Sequence, residues 1–376
     1  MHPARPESPR TVNCQLLYFT TNSVTADGRT LAVITNAYSE HLEGASLARI
    51  DRATGKMEPL AAFPGPAMQA YPYFARPRSN DSKEDYLFNG AIAAHGLNKS
   101  SPCLDPVGGV LYFVWGRGDG WGQLDAVSLR DGTRRMLAEI PPYRTVGYTH
   151  LDAKGAHVLL SLADRRILDF GAVRKGNREM SEQYAEFGLT TQIAKVDVAT
   201  GRMALRWEEP AWVTHIQYHP RRRDLVLYNH EWNWPLGVAR IWLKQDGRER
   251  VQVRRPDRPI CFRVSPDLGL DDVAHEVWQE DGEAVVYHGV RWDAGECPEQ
   301  FVGRAPVDAA TPLQEISIPR SQPSFYGHFF PSHRGDFVIT DAIADESGVM
   351  QRRGNLISRL NVDWVNGRME VVPLCA

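Results

Sequence analysis

The feature that most constrains the fold is a strand–turn–strand unit that recurs along the chain. Its first copy has four apolar runs, at residues 18–22, 31–36, 46–51 and 57–60. Asp27-Gly28 separates the first two runs, and Thr54-Gly55 separates the last two. Such dipeptides favour tight chain reversal between antiparallel strands. The unit is therefore predicted to be a four-stranded meander.

The same pattern returns five more times, so that six units are legible, and the widest interval leaves room for part of a seventh at residues 71–74 and 86–89. One meander cannot bury both of its faces, and radial repetition solves this by packing sheet against sheet. The sequence therefore predicts an all-β fold, a seven-bladed β-propeller of four-stranded antiparallel blades. It spans residues 1–376 as a single domain, with a disordered tail at 1–12 and a short helical insertion at 180–187.

Composition excludes several classes of protein. The chain has 376 residues, 43% of them hydrophobic and 24% charged, and its formal net charge is -3. This balance argues against nucleic acid as a partner, because phosphate binding needs a clustered basic surface. The five cysteines are odd in number and form no CxxC pair, which favours a reducing compartment. No apolar run is long enough to span a membrane, so we expect a cytoplasmic protein; the pattern makes no prediction of oligomeric state.

Four consecutive units place a histidine near the start of the first strand: His150, His215, His275 and His328. In a propeller these positions converge on one mouth of the central channel. His230, followed by Glu231, ends a second strand and is expected on the same face, and His95 is a weaker candidate. A lone histidine in a strand is more often structural, but four in matching positions favour a functional cluster. Histidine nitrogens with an amide or carboxylate oxygen suit a divalent transition ion.

Three segments resemble the oligogalacturonate lyase family, seven-bladed propellers that degrade short pectin fragments. They are the block from His215 to Glu231, which contains Tyr228-Asn229-His230-Glu231, the block from Ala274 to Gly282, and Gly327-His328. Residues 18–28 also resemble the first blade of that family.

The resemblance implies a carbon–oxygen lyase that acts on uronate-containing oligosaccharides and holds a divalent cation, typically manganese. By position, the metal ligands are His275, His328 and Gln322, although Gln322 is one residue out of step and Tyr326 stands where the family has a further histidine. The same correspondence makes His230 the base, with assistance from Arg206. His215 and His150 are expected to contact the substrate.

These groups fit β-elimination, in which the carboxylate of a uronate is neutralised and a neutral histidine removes the adjacent ring proton. Two alternatives remain open on the sequence. One is a related propeller lyase or glycosidase that acts on another uronate-bearing glycan without a metal. The other is a non-catalytic propeller that binds partners, because a propeller fold alone does not determine function.

Overall fold

A computed structural model of the chain describes residues 14–35, 46–62, 102–117, 121–168, 184–231, 239–245, 247–251, 260–261, 271–291, 299–318, 329–332, 335–343 and 355–375. Strands dominate these residues. The helical parts are a 3-10 turn at Arg165–Leu168 and one turn at residues 184–186, which lies in the predicted helical insertion. Within the described residues, no helix is long and apolar enough to cross a membrane.

The first three sheets are antiparallel meanders in which strands follow chain order. We number them blades 1 to 3. They comprise β1 (Cys14–Leu16), β2 (Thr30–Thr35), β3 (Ser46–Asp51) and β4 (Met57–Ala62); β5 (Cys103–Asp105), β6 (Val110–Gly116), β7 (Gly122–Ser128) and β8 (Arg134–Ile140); and β9 (Arg144–Leu151), β10 (His157–Asp164), β11 (Thr191–Asp197) and β12 (Met203–Glu209).

Blades 4 to 6 repeat the arrangement, and blade 5 carries one additional short strand, β17, which pairs in parallel with β18. They comprise β13 (Ile216–Tyr218), β14 (Leu225–Asn229), β15 (Ile241–Gln245) and β16 (Arg248–Val251); β17 (Ile260–Cys261), β18 (Asp271–Trp278), β19 (Ala284–Arg291), β20 (Glu299–Pro306) and β21 (Gln314–Ser317); and β22 (Phe329–Pro331), β23 (Phe337–Ile343), β24 (Asn355–Asp363) and β25 (Arg368–Cys375).

The hydrophobic core lies between successive blades. Separate buried clusters join blade 1 to 2, 2 to 3, 3 to 4, 4 to 5 and 5 to 6. The strands β5, β9 and β13, each the first of its blade, are neighbours in space, and so are β18 and β22. The sheets of blades 2 to 5 therefore bury both faces against their neighbours, and the first strands line the centre, as in a β-propeller.

The structure corrects two details of the predicted propeller. Seven blades were predicted, but the described residues form six, and the residues expected to begin a seventh, 71–74 and 86–89, lie outside the described ranges. Residues 18–22 were predicted as the first strand of blade 1. Instead β1 ends at Leu16, and residues 18–22 form a bend. This bend brings Tyr18 and Phe19 into contact with side chains of other blades.

The turn after each first strand fixes the register of the repeat. In blades 3 to 6 the turn is closed by a backbone N–H, from Asp152, His219, Gln279 or Ser332, that donates to a carbonyl of the second strand. Four residues before these positions stand Tyr148, His215, His275 and His328. His150 is therefore two residues out of register, which is about 6.6 Å along a strand, and Tyr148 occupies its predicted place.

Candidate functional site

The bend after β1 brings aromatic side chains of blade 1 to the first strands of blades 3, 4 and 5. The Tyr18 ring lies 4.8 Å from the Tyr148 ring and 5.6 Å from that of His215. The Phe19 ring lies 5.7 Å from His215 and 5.5 Å from His275, edge-on to both. A strand could not cross the centre in this way, because its side chains would stay against the two neighbouring blades. We call these five residues, with His288, the central cluster.

His215 is held in one orientation by a buried carboxylate. Its Nδ1 lies 2.7 Å from Oε1 of Glu276, and the side chains are 4% and 0% exposed. A carboxylate only accepts hydrogen bonds, so Nδ1 carries a proton and donates it to Glu276. The other nitrogen, Nε2, lies 3.4 Å from the Tyr18 hydroxyl. Burial, followed by the nearby Tyr148, raises the pKa of Tyr18 well above its ordinary value.

Glu276 belongs to a buried charge network between blades 4 and 5. Arg240 donates from Nε to Glu276 Oε2 at 3.0 Å and from Nη1 to Glu231 Oε1 at 2.9 Å. Thr214 and Asn229 donate to Glu231 Oε2 at 2.5 Å and 2.6 Å. Burial alone would raise the pKa of Glu276, but the guanidinium of Arg240 and the His215 ring outweigh it and lower that pKa to about 2. The network therefore keeps two carboxylates ionised away from water.

His275 is the only non-glycine residue among those described with a left-handed backbone, at a φ of 53°. This backbone conformation costs a non-glycine residue on the order of 1–3 kcal/mol, and residues strained in this way are frequent at functional sites. It interrupts the pairing of β18 with β19 between Ala274 and Val277. The irregular backbone places His275 Nδ1 2.7 Å from His288 Nε2, and its ring stacks 6.4 Å from that of His215.

The described residues contain one of the three predicted metal ligands. His328 and Gln322 lie outside the described ranges, and no group of three or more histidine, cysteine or carboxylate side chains in the described ranges is arranged to hold a metal ion. Because Nδ1 of His275 is engaged with His288, a metal would be bound through Nε2. Histidines that bind a metal through one ring nitrogen commonly form a hydrogen bond through the other, so the geometry of His275 fits the role of a metal ligand.

His150 is tied to the backbone through both ring nitrogens. Its Nε2 donates to the Thr20 carbonyl at 3.1 Å, and its Nδ1 accepts from the Tyr218 N–H at 3.2 Å. Burial lowers its pKa to about 4. These bonds fasten the bend of blade 1 to blades 3 and 4, so the geometry gives His150 a structural position rather than one that faces a substrate.

His230 lies on the other face of blade 4, against blade 3. Its ring stacks 4.8 Å from that of Trp242 and lies 5.7 Å from that of Tyr228. Its Nε2 is 3.5 Å from Oε2 of Glu209 on β12, and the His230 side chain is 9% exposed. Lys244 lies 3.3 Å from the other oxygen of Glu209. The contacts of His230 are therefore with the interface of blades 3 and 4, whereas those of His275 are with the central cluster.

Arg206 reaches the same interface from a β-bulge. The pairing of β11 with β12 shifts between Ile193–Trp207 and Ala194–Leu205, so Arg206 is the extra residue. Bulges redirect side chains and are frequent beside functional sites. The Arg206 guanidinium lies 5.4 Å from the centre of the Trp207 ring, and the Lys244 ammonium lies 5.1 Å from it. We call His230, Glu209, Lys244, Arg206, Trp207 and Trp242 the interblade cluster.

Four polar atoms of the interblade cluster are buried without a hydrogen-bond partner within the described part of the chain. They are Nη1 of Arg206, Nε1 of Trp207, and both ring nitrogens of His230. Buried polar atoms are rarely left unpaired, because each costs about 1–3 kcal/mol. Arginine and indole nitrogens donate, and a neutral imidazole donates from one of its nitrogens. A group that meets Nη1 of Arg206 and Nε1 of Trp207 must therefore supply acceptor oxygens.

The structure thus separates the predicted site residues into two groups. His230 and Arg206 share the interblade cluster, whereas His215 and His275 share the central cluster. The sequence analysis missed Tyr18, Tyr148, Glu276, Arg240, Glu209 and Lys244. Tyr148 has a signal in the sequence, because it lies four residues before the turn like His215 and His275. Glu276, Arg240, Glu209 and Lys244 have no such signal, since their partners come from distant strands.

No family model matches the chain, and no curated protein sequence matches it significantly. Among solved structures, an oligogalacturonate lyase in complex with manganese superposes with a TM-score of 0.66 at 19% identity, covering 96% of this chain and 78% of that one.

An oligogalacturonate lyase from Vibrio parahaemolyticus gives a TM-score of 0.66 at 17% identity, with 98% and 80% covered. An acylaminoacyl peptidase from Pyrococcus horikoshii matches less well, with a TM-score of 0.50 at 12% identity, covering 93% of this chain and 44% of the peptidase. At these identities the likeness concerns the fold. The chain therefore resembles oligogalacturonate lyases in its structure over almost its full length.

Proposed function

We propose that this protein is a carbon–oxygen lyase that cleaves uronate-containing oligosaccharides, with oligogalacturonate as the first candidate, by β-elimination. The observation that carries the proposal is the set of four buried, unpartnered polar atoms between blades 3 and 4. Two cations, Arg206 and Lys244, lie beside them. A ligand with a carboxylate and hydroxyl groups supplies acceptor oxygens for Arg206 and Trp207 and a donor for the His230 ring.

His230 is the proposed base. In β-elimination a base removes the ring proton beside the uronate carboxylate, and a neutral histidine suits this step because its ordinary pKa lies near neutrality. His230 is enclosed and stacked on Trp242, and its Nδ1 has no hydrogen-bond partner in the described residues. A base in this state is available to a substrate that enters the interface.

Arg206 and Lys244 are the proposed partners of the substrate carboxylate. Ring-proton acidity rises when the adjacent carboxylate is neutralised, because charge develops on it in the transition state. Lys244 is already paired with Glu209 and Glu249, whereas Nη1 of Arg206 has no hydrogen-bond partner in the described residues. The partly exposed Trp207 and Trp242 rings offer flat apolar surfaces to a sugar ring.

The proposal includes a divalent cation, manganese by the family resemblance, held by His275 together with His328 and Gln322. When bound, such an ion would act as a Lewis acid toward a substrate carboxylate. In the described residues His215 stacks on His275 and its Nε2 makes only a long contact, 3.4 Å, with the Tyr18 hydroxyl, so we assign it the contact with the uronate. The bonds of both His150 nitrogens to the backbone lead us to leave His150 out of this role.

The experiment is a cleavage assay with oligogalacturonates, with and without added manganese, that follows the ultraviolet absorbance of the unsaturated product. His230→Ala should lower kcat by about 10²–10⁴-fold, the usual contribution of a general base. His157→Ala is a matched control, because His157 begins β10 outside both clusters and pairs with Asp152 at 2.8 Å; it should keep the wild-type rate. Full activity of His230→Ala would contradict the assignment of the base.

A second candidate is a metal-independent lyase that acts on another uronate polymer. It is favoured by the Tyr18 hydroxyl at 3.4 Å from His215 Nε2, since tyrosine and histidine together can perform proton transfer without a metal. Glucuronan and ulvan oligomers assayed with and without a chelator separate the two candidates. Cleavage that survives the chelator and is lost in Tyr18→Phe supports the second. No cleavage of any oligomer leaves a non-catalytic binding protein.

A further inference from the structure

Glu209 is the one carboxylate that faces the His230 ring among the described residues of the interblade cluster. We propose that Glu209 is a positioning residue that holds His230 with its proton on Nε2, so that Nδ1 is the atom that accepts the substrate proton. The role in catalysis rests on the proposed function above, whereas the protonation pattern of His230 does not.

The geometry assigns the two nitrogens of the ring. Nε2 lies 3.5 Å from Glu209 Oε2, an ion-pair contact that is too loosely aligned to be a full hydrogen bond, whereas Nδ1 has neither such a contact nor a hydrogen bond in the described residues. A carboxylate has no proton to give when ionised, so a lone pair on Nε2 would face negative charge at this distance. The neutral ring therefore carries its proton on Nε2 and presents the lone pair of Nδ1. This assignment follows the rule that the partner of one nitrogen determines the state of the other.

The surrounding charges keep Glu209 ionised. Burial alone would raise its pKa, but His230 and Lys244 outweigh burial and lower it. Among the described residues, the other charged or titratable groups of this interface are Arg206 on β12, Tyr218 on β13, Tyr228 on β14, Lys244 on β15 and Glu249 on β16. The Tyr228 hydroxyl lies 3.4 Å from Glu249, and burial followed by the Glu209 charge raises its pKa. Glu209 is therefore the anion that acts on His230, and Lys244 is the cation that offsets it.

The chemical step balances with water as the only further reactant. The substrate C–H proton passes to Nδ1, and its electron pair becomes the carbon–carbon double bond as the bond to the glycosidic oxygen breaks. The leaving oxygen takes a proton from water, and the imidazolium later returns its proton from Nδ1 to water. Glu209 stabilises the imidazolium through Nε2–H in the same way that the buried aspartate of a catalytic triad orients its histidine.

Two variants are expected to move the titration of His230 in opposite directions. Glu209→Gln keeps the size and an acceptor oxygen but removes the charge, so the His230 midpoint should fall by about 1 pH unit. Lys244→Met removes the offsetting cation, so the midpoint should rise. A residue that only fills space would produce neither shift, and both variants would leave the midpoint unchanged.

The measurement is nitrogen NMR of histidine-labelled protein, with the His230 signals identified by their loss in His230→Gln. Nitrogen shifts report which ring atom is protonated, so the method needs no activity. The midpoint of the kcat/KM pH profile should move with the NMR midpoint. Glu249→Gln is the matched control, because Glu249 also pairs with Lys244 but is 48% exposed; it should shift His230 much less than Glu209→Gln does.

The outcomes are distinct. A neutral His230 with its proton on Nδ1, or a midpoint that Glu209→Gln leaves unchanged, overturns this inference even if the protein is a lyase. An inactive wild-type protein whose His230 carries its proton on Nε2 and shifts as described overturns the proposed function and leaves the positioning by Glu209 intact.

Discussion

Glu276 affects both the stability of the fold and the geometry of the candidate site. It is fully buried, and its two oxygens are divided between a guanidinium and an imidazole, Arg240 and His215. Buried ion pairs add little net stability compared with apolar packing, but removal of one partner leaves an uncompensated charge. A residue of this kind therefore fixes the orientation of its neighbours, and it makes the site costly to alter.

Glu276→Ala should lower the free energy of unfolding by about 3–5 kcal/mol, because Arg240 and the His215 Nδ1–H lose their buried acceptor. Chemical denaturation followed by tryptophan fluorescence measures this change. Glu139→Ala is the control: it breaks a surface pair with Arg117, whose side chains are 49% and 31% exposed, and should cost less than about 1 kcal/mol. Equal losses in the two variants would show that the network does not act as a buried unit.

At the scale of elements, the turn after each first strand does more than reverse the chain. His219, in the turn of blade 4, donates from Nε2 to the Gly282 carbonyl in the turn of blade 5 at 2.9 Å. Its Nδ1 accepts from the N–H groups of Arg221 and Arg222 at 3.0 Å. Two adjacent turns are thereby joined, and the first strands that end in them keep a fixed offset. This offset is what aligns His215 with His275.

Two glycines test this coupling: Gly282 in the turn of blade 5, and Gly55 in the turn between β3 and β4 of blade 1. Gly282 and Gly55 have similar left-handed backbones, with φ of 77° and 72°, so alanine should cost about 1 kcal/mol at either position. A Cβ on Gly282 would also lie 2.4 Å from the His219 ring, whereas nothing lies within 4 Å at Gly55. We therefore expect Gly282→Ala to cost at least about 1 kcal/mol more than Gly55→Ala in thermal or urea unfolding. Equal costs would mean that His219 moves aside freely.

At the scale of the whole molecule, titratable side chains, His150 and Glu276, form buried hydrogen bonds and ion pairs between different blades. The folded protein keeps His150 neutral, with a pKa of about 4 against an ordinary 6.5 because of burial. Glu276 stays ionised to about pH 2 against an ordinary 4.5, because Arg240 and His215 outweigh the effect of burial. In both cases the unfolded chain binds a proton before the folded one does. Stability therefore falls as pH is lowered.

The predicted loss of stability has two windows. His150 contributes stability that is fully present above pH 6.5 and is lost as pH falls to about 4, a change of about 3 kcal/mol. Glu276 contributes stability that is present above pH 4.5 and is lost as pH falls to about 2. Urea unfolding at a series of pH values should show both. His150→Gln keeps a donor and an acceptor but does not titrate, so it should flatten the upper window alone; an unchanged slope there would contradict the role of His150.

The all-β repeat can be predicted from the sequence, because alternating apolar runs and Asp-Gly or Thr-Gly turns are local signals. The positions of His215, His275 and His230 relative to strand ends can also be counted, whereas Arg206 was predicted only from the resemblance to oligogalacturonate lyases. The predicted repeat position of His150 was wrong, because the turn places Tyr148, two residues earlier, at the position equivalent to His215 and His275. The prediction of a strand at residues 18–22 was wrong, because aromatic residues and threonine, which are common in strands, form a bend here.

The grouping of these residues depends on contacts between blades, which the sequence does not show. His230 and Glu231 are neighbours in sequence, but consecutive side chains at the end of a strand point to opposite faces. His230 therefore meets Glu209 of blade 3, and Glu231 meets Arg240 beside Glu276 of blade 5. Pairing across blades joins strands distant in sequence, and no local pattern encodes it. The repeat is encoded by local sequence signals, whereas the two clusters form only when the blades pack against one another.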